Sequence, residues 1–257
     1  MHPVFLKIGP ITIYSYGVML AVAFATGIYL AQKRAKNIGL NSKIIIDLGI
    51  YILIGSIIGA RFLYVLTNLD EYKSQPLQII FSRYGFIFYG GLIGATIVSI
   101  WYLKKQKLPV WEIADVVAPS IAIGQAIGRI GCFLNGCCYG KPTTLPWGVM
   151  MPGSNPLDLT PLHPTQLYSS LANLLTFLIL SYLWQKRKFT GQIFLSYLIL
   201  YSIARFMIEM YRGDNPEMVF HLTLSQIISI FIGLGAMTIY GRKEIGNRQL
   251  SIEKKSM

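Results

Sequence analysis

The sequence predicts an all-α membrane protein, a polytopic bundle of about seven transmembrane helices. Of its 257 residues, 53% are hydrophobic and only 13% are charged, and the mean hydropathy is +0.51. Soluble domains carry about 25% charged residues. Several apolar runs also reach the roughly 20 residues that cross a hydrocarbon core. We therefore expect one integral membrane domain over residues 1–257.

Seven apolar stretches are predicted to span the membrane. They lie at Thr12–Ala31, Asp47–Leu66, Phe86–Leu103, Ala114–Leu134, Leu167–Trp184, Gly191–Glu209 and Leu222–Tyr240. No cleavage-site pattern precedes the first span, so we expect no removable signal peptide. Residues 67–85, 135–166 and 210–221 are interpreted as outer loops, and residues 241–257 as a basic cytoplasmic tail.

Basic residues are distributed unequally between the two sides of this arrangement. One side carries fifteen basic residues: Lys33, Arg34, Lys36, Lys43, Lys104, Lys105, Lys107, Lys186, Arg187, Lys188, Arg242, Lys243, Arg248, Lys254 and Lys255. The other side carries five basic residues: Lys7, Lys73, Arg83, Lys141 and Arg212. The positive-inside rule then places the N-terminus outside and the C-terminus in the cytoplasm. The same rule explains the net charge of +12, so no nucleic-acid partner is predicted.

Three arginines remain inside predicted spans, at Arg61, Arg129 and Arg205. Each falls in the later part of a span that runs outward, so all three share the outer half of the membrane. Arg205 can pair with Glu209 one helical turn later, but the other two have no acid in the same layer. An intramembrane arginine needs a partner, and the phosphate of a phospholipid headgroup suits a guanidinium group. The alternative is that each arginine snorkels to the interface or caps a helix.

Cys132, Cys137 and Cys138 lie within seven positions of one another. They are too close together and too odd in number for a disulfide framework. No second Cys or His pair follows at a suitable spacing, so no metal site is predicted. Packing at a tight turn is the favoured interpretation, with a catalytic thiolate beside Arg129 as the alternative.

Other polar and small residues are predicted to lie near the outer ends of the spans. Thr165 or Gln166 is expected to cap the fifth span, and His163 to help close an anion pocket. Tyr16 and Tyr89 open spans one and three, where interfacial tyrosine is ordinarily a membrane anchor. Glycines that are expected to let helices approach closely are Gly55, Gly59, Gly90, Gly91, Gly94, Gly124, Gly128 and Gly131.

Five motifs in the same chain order resemble those of the bacterial prolipoprotein diacylglyceryl transferase family. They are Tyr16-Gly17; Tyr89-Gly90-Gly91-Leu92; Gly128-Arg129-Ile130-Gly131-x-Phe133-x-Asn135-Gly136-x-x-x-Gly140; His163-Pro164-Thr165-Gln166-Leu167-Tyr168; and Arg205-Phe206-x-x-Glu209-x-x-Arg212. The match runs from the first span to the sixth and covers nearly the whole chain.

The resemblance implies transfer of the diacylglyceryl group from phosphatidylglycerol to the thiol of the lipobox cysteine in a preprolipoprotein. The products are a thioether and glycerol 1-phosphate, and no cofactor or metal is implied. By resemblance, Arg129 binds the lipid headgroup, while Arg205, Glu209, Tyr16 and Gly140 are important for activity. The implied partners are phosphatidylglycerol, membrane lipid and the lipobox signal peptide, at an active site facing the outer leaflet.

The chain departs from the family pattern at three positions. Many members have His where this chain has Tyr89, Asn where it has Cys132, and an acid where it has Cys137. The His is a proposed general base, and tyrosine, with a pKa near 10, is a poor base at neutral pH unless a cation lowers that pKa. Three alternatives follow. An arginine lowers the pKa of Tyr89 so that it acts as the base, or Tyr89 only orients another group, or the substrate thiol loses its proton elsewhere.

The sequence and the resemblance together predict a set of roles. Tyr89, Arg205 and Glu209 are the candidate catalytic residues. Arg205 is expected to stabilise the phosphate, and Glu209 to orient Arg205. The candidate substrate-binding residues are Arg129, Tyr16, Asn135, Gly140, Arg61 and His163. Rival interpretations are a transporter or channel for an anionic solute and a structural subunit without chemistry.

Overall fold

The computed structural model describes residues 2–70, 85–151, 160–213, 217–219 and 221–256. Parts of all three predicted outer loops lie outside these ranges, as do the predicted outer cations Lys73 and Arg83. The described chain contains seven helices: α1 Ser15–Asn37, α2 Lys43–Thr67, α3 Phe88–Lys105, α4 Val110–Asn135, α5 Thr165–Gln185, α6 Gln192–Glu209 and α7 Leu224–Ser256. Six of them, all except α3, are long and apolar enough to cross a membrane, which confirms a polytopic helical membrane protein.

Two predicted spans begin later than expected because short hairpins precede them. Strands β1 (Val4–Ile8) and β2 (Ile11–Tyr14) pair antiparallel, so α1 begins at Ser15 rather than Thr12. This segment is rich in β-branched and aromatic residues around a Gly9-Pro10 turn, a composition that favours strands. Likewise β3 (Glu217–Val219) pairs with β4 (Leu222–Thr223), which delays α7 to Leu224. Helix α7 then continues to Ser256, through most of the predicted basic tail.

The chain forms two compact units, one made of Met1–Ala31 with Ala114–Met257 and one of Gln32–Ile113. In the second unit, α2 packs against α3 through facing glycines. A Cβ added at Gly59 would lie 2.9 Å from the Cα of Gly94 and still closer to the carbonyl oxygen of Gly90. A Cβ at Gly55 would lie 3.0 Å from the side chain of Val98. The predicted close approach of helices at these glycines is therefore confirmed.

In the first unit, a buried cluster joins the middle helices. It consists of Ala118 and Ala122 on α4, Leu180 on α5, and Ile193 and Tyr197 on α6. Tyr197 also donates its hydroxyl to Gln125 Oε1 of α4, at 3.1 Å. Small side chains on α4 let the larger ones of α5 and α6 pack closely, as is usual in membrane bundles.

The glycines of α4 do not all serve close packing. A Cβ at Gly131 would lie 2.9 Å from the Cβ of Met19 on α1, so the absence of a side chain is needed there. At Gly124 the nearest atom would be 3.5 Å away, an ordinary contact, and at Gly128 a Cβ would meet no atom within 4 Å. The packing interpretation is thus wrong for Gly128.

A buried carboxylate sets the relative position of α4 and α6. Asp115 near the start of α4 accepts hydrogen bonds from the backbone N–H groups of Gly191 (2.7 Å) and Phe194 (2.8 Å), at the start of α6. The two helices therefore begin at the same level and run in the same direction. Arg129 lies 14 residues beyond Asp115, and Arg205 lies 14 residues beyond Gly191. At about 1.5 Å per residue, both arginines are about 21 Å along their helices.

Replacing Gly59 with alanine tests the close contact between α2 and α3. The added methyl group must displace backbone, so we expect Gly59→Ala to lower the free energy of unfolding by about 1–3 kcal/mol. The matched control is Gly235→Ala in α7, where a Cβ meets no atom within 4 Å and where alanine is the better helix former. Thermal unfolding of both variants in detergent makes the comparison. Equal melting temperatures of the two variants would show that the packing of α2 against α3 does not need a glycine at the position of Gly59.

Candidate functional site

An ion pair at the end of α6 organises the polar cluster of the first unit. Arg205 Nη2 lies 2.8 Å from Glu209 Oε2, and the Glu209 side chain is fully buried. This confirms the pairing that the i, i+4 spacing predicts. Two hydroxyls after the β3–β4 hairpin complete the arrangement: Thr223 donates to Glu209 Oε1 at 2.9 Å, and Ser225 Oγ accepts from Arg205 Nη2 at 2.9 Å.

A second arginine shares the same carboxylate. Arg212 Nε lies 3.9 Å from Glu209 Oε2, one turn beyond it. The sequence places Arg212 among outer-loop cations and not among the site residues, although its i, i+3 spacing from Glu209 is a usable signal. Thr223 and Ser225 carry no comparable signal, because they reach the pair across an intervening hairpin.

Positive charge exceeds negative charge in this cluster. Arg129 and Arg212 both lie within electrostatic range of Arg205. Among the described residues, Arg129 has no carboxylate at ion-pairing distance, and the buried Nη1 of Arg205 has no hydrogen-bond partner. In the part of the chain that the structure describes, Glu209 thus pairs with Arg205 and Arg212, and Arg129 lies near Arg205. A buried, unpaired guanidinium N–H is costly, and a bound anion removes that cost.

Tyr16 borders the same cluster from the start of α1. A Cβ at Gly131 would lie 3.4 Å from the Tyr16 ring, so the ring packs over α4 two residues beyond Arg129. Arg129, Cys132 and Cys138 all lie within electrostatic range of the Tyr16 hydroxyl. Tyr16 is 41% exposed. The structure thus brings Tyr16 and Arg129 together, as the sequence predicts.

The turn after α4 is fixed by backbone contacts around Gly140. The Gly140 N–H donates to the carbonyl of His163 at 2.9 Å, and the next N–H, that of Lys141, donates to the carbonyl of Tyr211 at 2.8 Å. A Cβ at Gly140 would lie 2.7 Å from His163 Cβ and 2.8 Å from Thr165 Cγ2. Gly140 therefore lets three segments meet beside Arg212, a packing role that does not require contact with substrate.

The expectation that Thr165 or Gln166 caps α5 is wrong. Helix α5 has no side-chain cap; Thr165 Oγ1 instead donates to the carbonyl of Cys138 at 2.8 Å, and Gln166 Nε2 to that of Cys137 at 2.7 Å. Both side chains are fully buried. They hold the turn after α4, whose own carbonyl groups lack helical partners because the helix has ended.

His163 lies at the start of α5 in a group of aromatic side chains. Its Nδ1 is 3.2 Å from the Tyr168 hydroxyl, which accepts a hydrogen bond from Trp147 Nε1 at 2.8 Å. The His163 ring centroid is 5.1 Å from that of Tyr211. This arrangement places His163 next to Gly140, whose backbone pairs with that of Arg212.

Two predicted site residues, Arg61 and Tyr89, belong to the second unit. Arg61 Nη1 donates to the carbonyl of Gly85 at 3.0 Å, and its guanidinium carbon lies 5.8 Å and 5.9 Å from the ring centroids of Tyr64 and Phe86. Tyr89 is partly buried and meets the Phe88 ring edge-on at 5.8 Å. Arg61 thus has carbonyl and aromatic partners within its own unit, and the substrate roles of both residues stay predictions.

The three thiols come together beside the cationic cluster. The Sγ atoms of Cys132, Cys137 and Cys138 all lie within 4.8 Å of one another. A hydrogen bond from the Cys132 thiol lowers the pKa of Cys138, with Arg212 and Arg129 acting in the same direction against the effect of burial. Burial raises the pKa of Cys137, whose thiol donates to the carbonyl of Cys132 at 3.7 Å. The side chain of Asn135 lies near the Cys137 thiol and lowers that pKa.

Comparison with known proteins matches this chain to one family. The family model described as prolipoprotein diacylglyceryl transferase matches residues 3–241. A phosphatidylglycerol–prolipoprotein diacylglyceryl transferase of Clostridium tetani is 39% identical over 233 residues, which cover 90% of this chain and 93% of the relative. The transferase of Trichormus variabilis is 39% identical over 256 residues, covering 94% and 90%. That of Oceanobacillus iheyensis is 36% identical over 259 residues, covering 95% and 90%.

The family match extends over α1 to α6, over the first part of α7 and over every residue of the cationic cluster. Identities of this size over nine-tenths of both chains show common descent of the whole domain. The chain belongs to the prolipoprotein diacylglyceryl transferase family.

Proposed function

We propose that this protein transfers the diacylglyceryl group of phosphatidylglycerol to the thiol of the lipobox cysteine in preprolipoproteins. The observation that carries the proposal is the cationic cluster of Arg129, Arg205 and Arg212 beside the carboxylate of Glu209. A lipid phosphate is an anion of suitable size and charge for such a cluster. The relatives are named for the same donor and acceptor.

The reaction is a displacement at the glycerol carbon that carries the phosphate. The acceptor sulfur forms a bond to that carbon, and the bond from the same carbon to the phosphate oxygen breaks. The bonding electron pair leaves with the oxygen, so the products are a thioether and glycerol 1-phosphate. The thiol gives up its proton before or during the attack.

Stabilising the leaving group is the hardest demand of this chemistry. Negative charge develops on the phosphate in an apolar environment, where fixed cationic donors act more strongly than in water. Among the described residues, Arg129 has no carboxylate at ion-pairing distance and Arg205 Nη1 has no hydrogen-bond partner, so both can serve the departing phosphate. We assign Arg129 and Arg205 to binding the phosphate. Arg212 supplies the further charge that the sequence does not assign.

The remaining roles follow from position. Glu209 orients Arg205 and Arg212 through Oε2, and its Oε1 is held by Thr223. Tyr16 and Asn135 shape the headgroup pocket from α1 and the end of α4. Gly140 and His163 keep the surrounding turn in place. Arg61 and Tyr89 enter the proposal from the sequence and the family resemblance, Arg61 as a phosphate-binding residue and Tyr89 as the residue that meets the incoming thiol.

We place the reaction in the bacterial inner (plasma) membrane, at a site facing the outer leaflet. The inequality of basic residues between the two sides supports this orientation. The lipobox signal peptide is then presented from the membrane, and no cofactor takes part. A transporter for an anionic solute is the rival, and vesicles separate the two, because a transporter moves solute without consuming phosphatidylglycerol.

Arg129→Ala tests the phosphate assignment. Since Arg129 is proposed to neutralise the leaving group, we expect transfer to fall by at least about 100-fold, the usual cost of losing one such group. Arg129→Lys should restore only part of the activity, because lysine lacks the guanidinium fork. The measurement is the diacylglyceryl mass added to a lipobox peptide in phosphatidylglycerol vesicles. Arg248→Ala, a change at an exposed position of α7, is the control; normal transfer by the Arg129→Ala variant would refute the assignment.

Glu209→Gln tests the carboxylate that serves two arginines. Removing one partner of a buried ion pair costs about 3–5 kcal/mol, because the other charge stays buried. We expect a large loss of thermal stability together with loss of transfer. The matched control is Glu244→Gln, since Glu244 pairs with Arg248 at the same i, i+4 spacing on an exposed surface. Such exposed pairs contribute about 0.3–0.5 kcal/mol to stability. If the two variants melt alike, Glu209 does not stabilise the cluster.

Tyr89→Phe tests whether the phenol takes the proton of the incoming thiol. Phenylalanine keeps the ring and removes the hydroxyl, so we expect transfer to fall by about 10²–10⁴-fold if Tyr89 is the general base. Activity is to be followed from neutral to alkaline pH, where the substrate thiol of pKa about 8.5 ionises unaided. Recovery of the variant at alkaline pH supports the base role. Nearly unchanged activity at neutral pH reduces Tyr89 to a packing residue.

A further inference from the structure

Three thiols converge where α4 ends. Cys132 lies on the last turn of α4, while Cys137 and Cys138 lie in the turn that follows. All three are free cysteines and partly buried, with their Sγ atoms within 4.8 Å of one another. No second cluster of three metal-ligating side chains occurs in the part of the chain that the structure describes. Linear spacing does not predict this cluster, because the ligands converge only when the helix ends and the chain reverses.

The backbone holds the thiols from two directions. Gly136 and Cys138 both have left-handed conformations, with φ of 76° and 66°, which is unusual for a residue with a side chain. The buried side chains of Gln166 and Thr165 hold the carbonyls of Cys137 and Cys138 at 2.7 and 2.8 Å. A strained residue persists where its surroundings over-determine it. The fold therefore holds the three thiols in these positions.

The donor set restricts the chemical class of ligand. Three sulfur atoms without a carboxylate do not suit magnesium or calcium, which take oxygen ligands. Thiolates select soft or borderline cations such as zinc(II) and copper(I). In a tetrahedral zinc site, with Zn–S of about 2.3 Å, neighbouring sulfur atoms are about 3.8 Å apart. Side-chain rotation alone can bring sulfur atoms within 4.8 Å to that spacing.

Nearby charges suit a thiolate complex. A divalent cation with three thiolates carries one net negative charge, and Arg129 and Arg212 both lie within electrostatic range of Cys138. Three protein ligands leave the fourth tetrahedral position open, as in zinc sites that bind water or another ligand. Among the described residues, His163 does not join the three thiols in a cluster of ligand atoms.

We propose that Cys132, Cys137 and Cys138 form a three-thiolate binding site for one zinc ion, with a fourth coordination position open. The site goes beyond the proposed transfer reaction, which requires no metal.

The test uses the full chain, purified in detergent with a reductant and with any affinity tag removed. Cobalt(II) is the probe, because thiolate coordination gives it charge-transfer and tetrahedral ligand-field absorption. We expect this spectrum to appear at one cobalt per chain and to be abolished by zinc(II). Cys132→Ser, Cys137→Ser and Cys138→Ser should each weaken zinc binding at least about tenfold, since even outer partners of ligands contribute that much. Ser170→Ala, a change of a hydroxyl that donates to Ala126, should leave binding intact.

A second measurement needs no variant and so does not depend on the folding of a mutant. Zinc bound to the wild-type chain should slow alkylation of all three cysteines by N-ethylmaleimide, counted by mass spectrometry. These are the three cysteines of the sequence, so the count is direct. Equal alkylation with and without zinc, or a cobalt spectrum that persists when all three cysteines are serine, would overturn the proposal.

Discussion

The structure depends on how guanidinium groups are accommodated at the ends of apolar helices. A charged side chain cannot stay unmatched in hydrocarbon without a cost of several kcal/mol. Glu209 meets part of this demand, because its fully buried carboxylate pairs with Arg205 and also faces Arg212. Among the described residues, Arg129 has no carboxylate at ion-pairing distance and Arg205 Nη1 has no hydrogen-bond partner. This imbalance of guanidinium donors over acceptors suits the cluster to a phosphate.

Asp115 determines where this imbalance is located. By accepting hydrogen bonds from two backbone groups at the start of α6, it sets the register of that helix against α4. Arg129 and Arg205 then reach the same level after equal lengths of helix. A carboxylate about 21 Å away cannot neutralise either arginine, yet it controls whether the two can act on one ligand. Its own negative charge is stabilised by the N–H groups at the helix start.

The segment from Gly136 to Gly140 links the arginine cluster to the thiols. It leaves α4 through a left-handed turn and is held by buried donors from α5. At Gly140 it approaches both His163 and Tyr211 so closely that a side chain has no room. The turn therefore positions the cysteines, while Gly140 pairs with the backbone of Arg212.

The sequence alone determined the seven helices, the polytopic membrane class, the pairing of Arg205 with Glu209 and the family. These depend on local composition, on helical periodicity and on motifs that are continuous in the chain. Only the tertiary structure decided that Thr165 and Gln166 hold the turn after α4 instead of capping α5, that Arg212 shares Glu209, and that the thiols converge. Each of these contacts joins a side chain to a partner whose position depends on how helices and turns pack. Periodicity cannot specify them, because it describes which face a residue occupies and not what lies opposite.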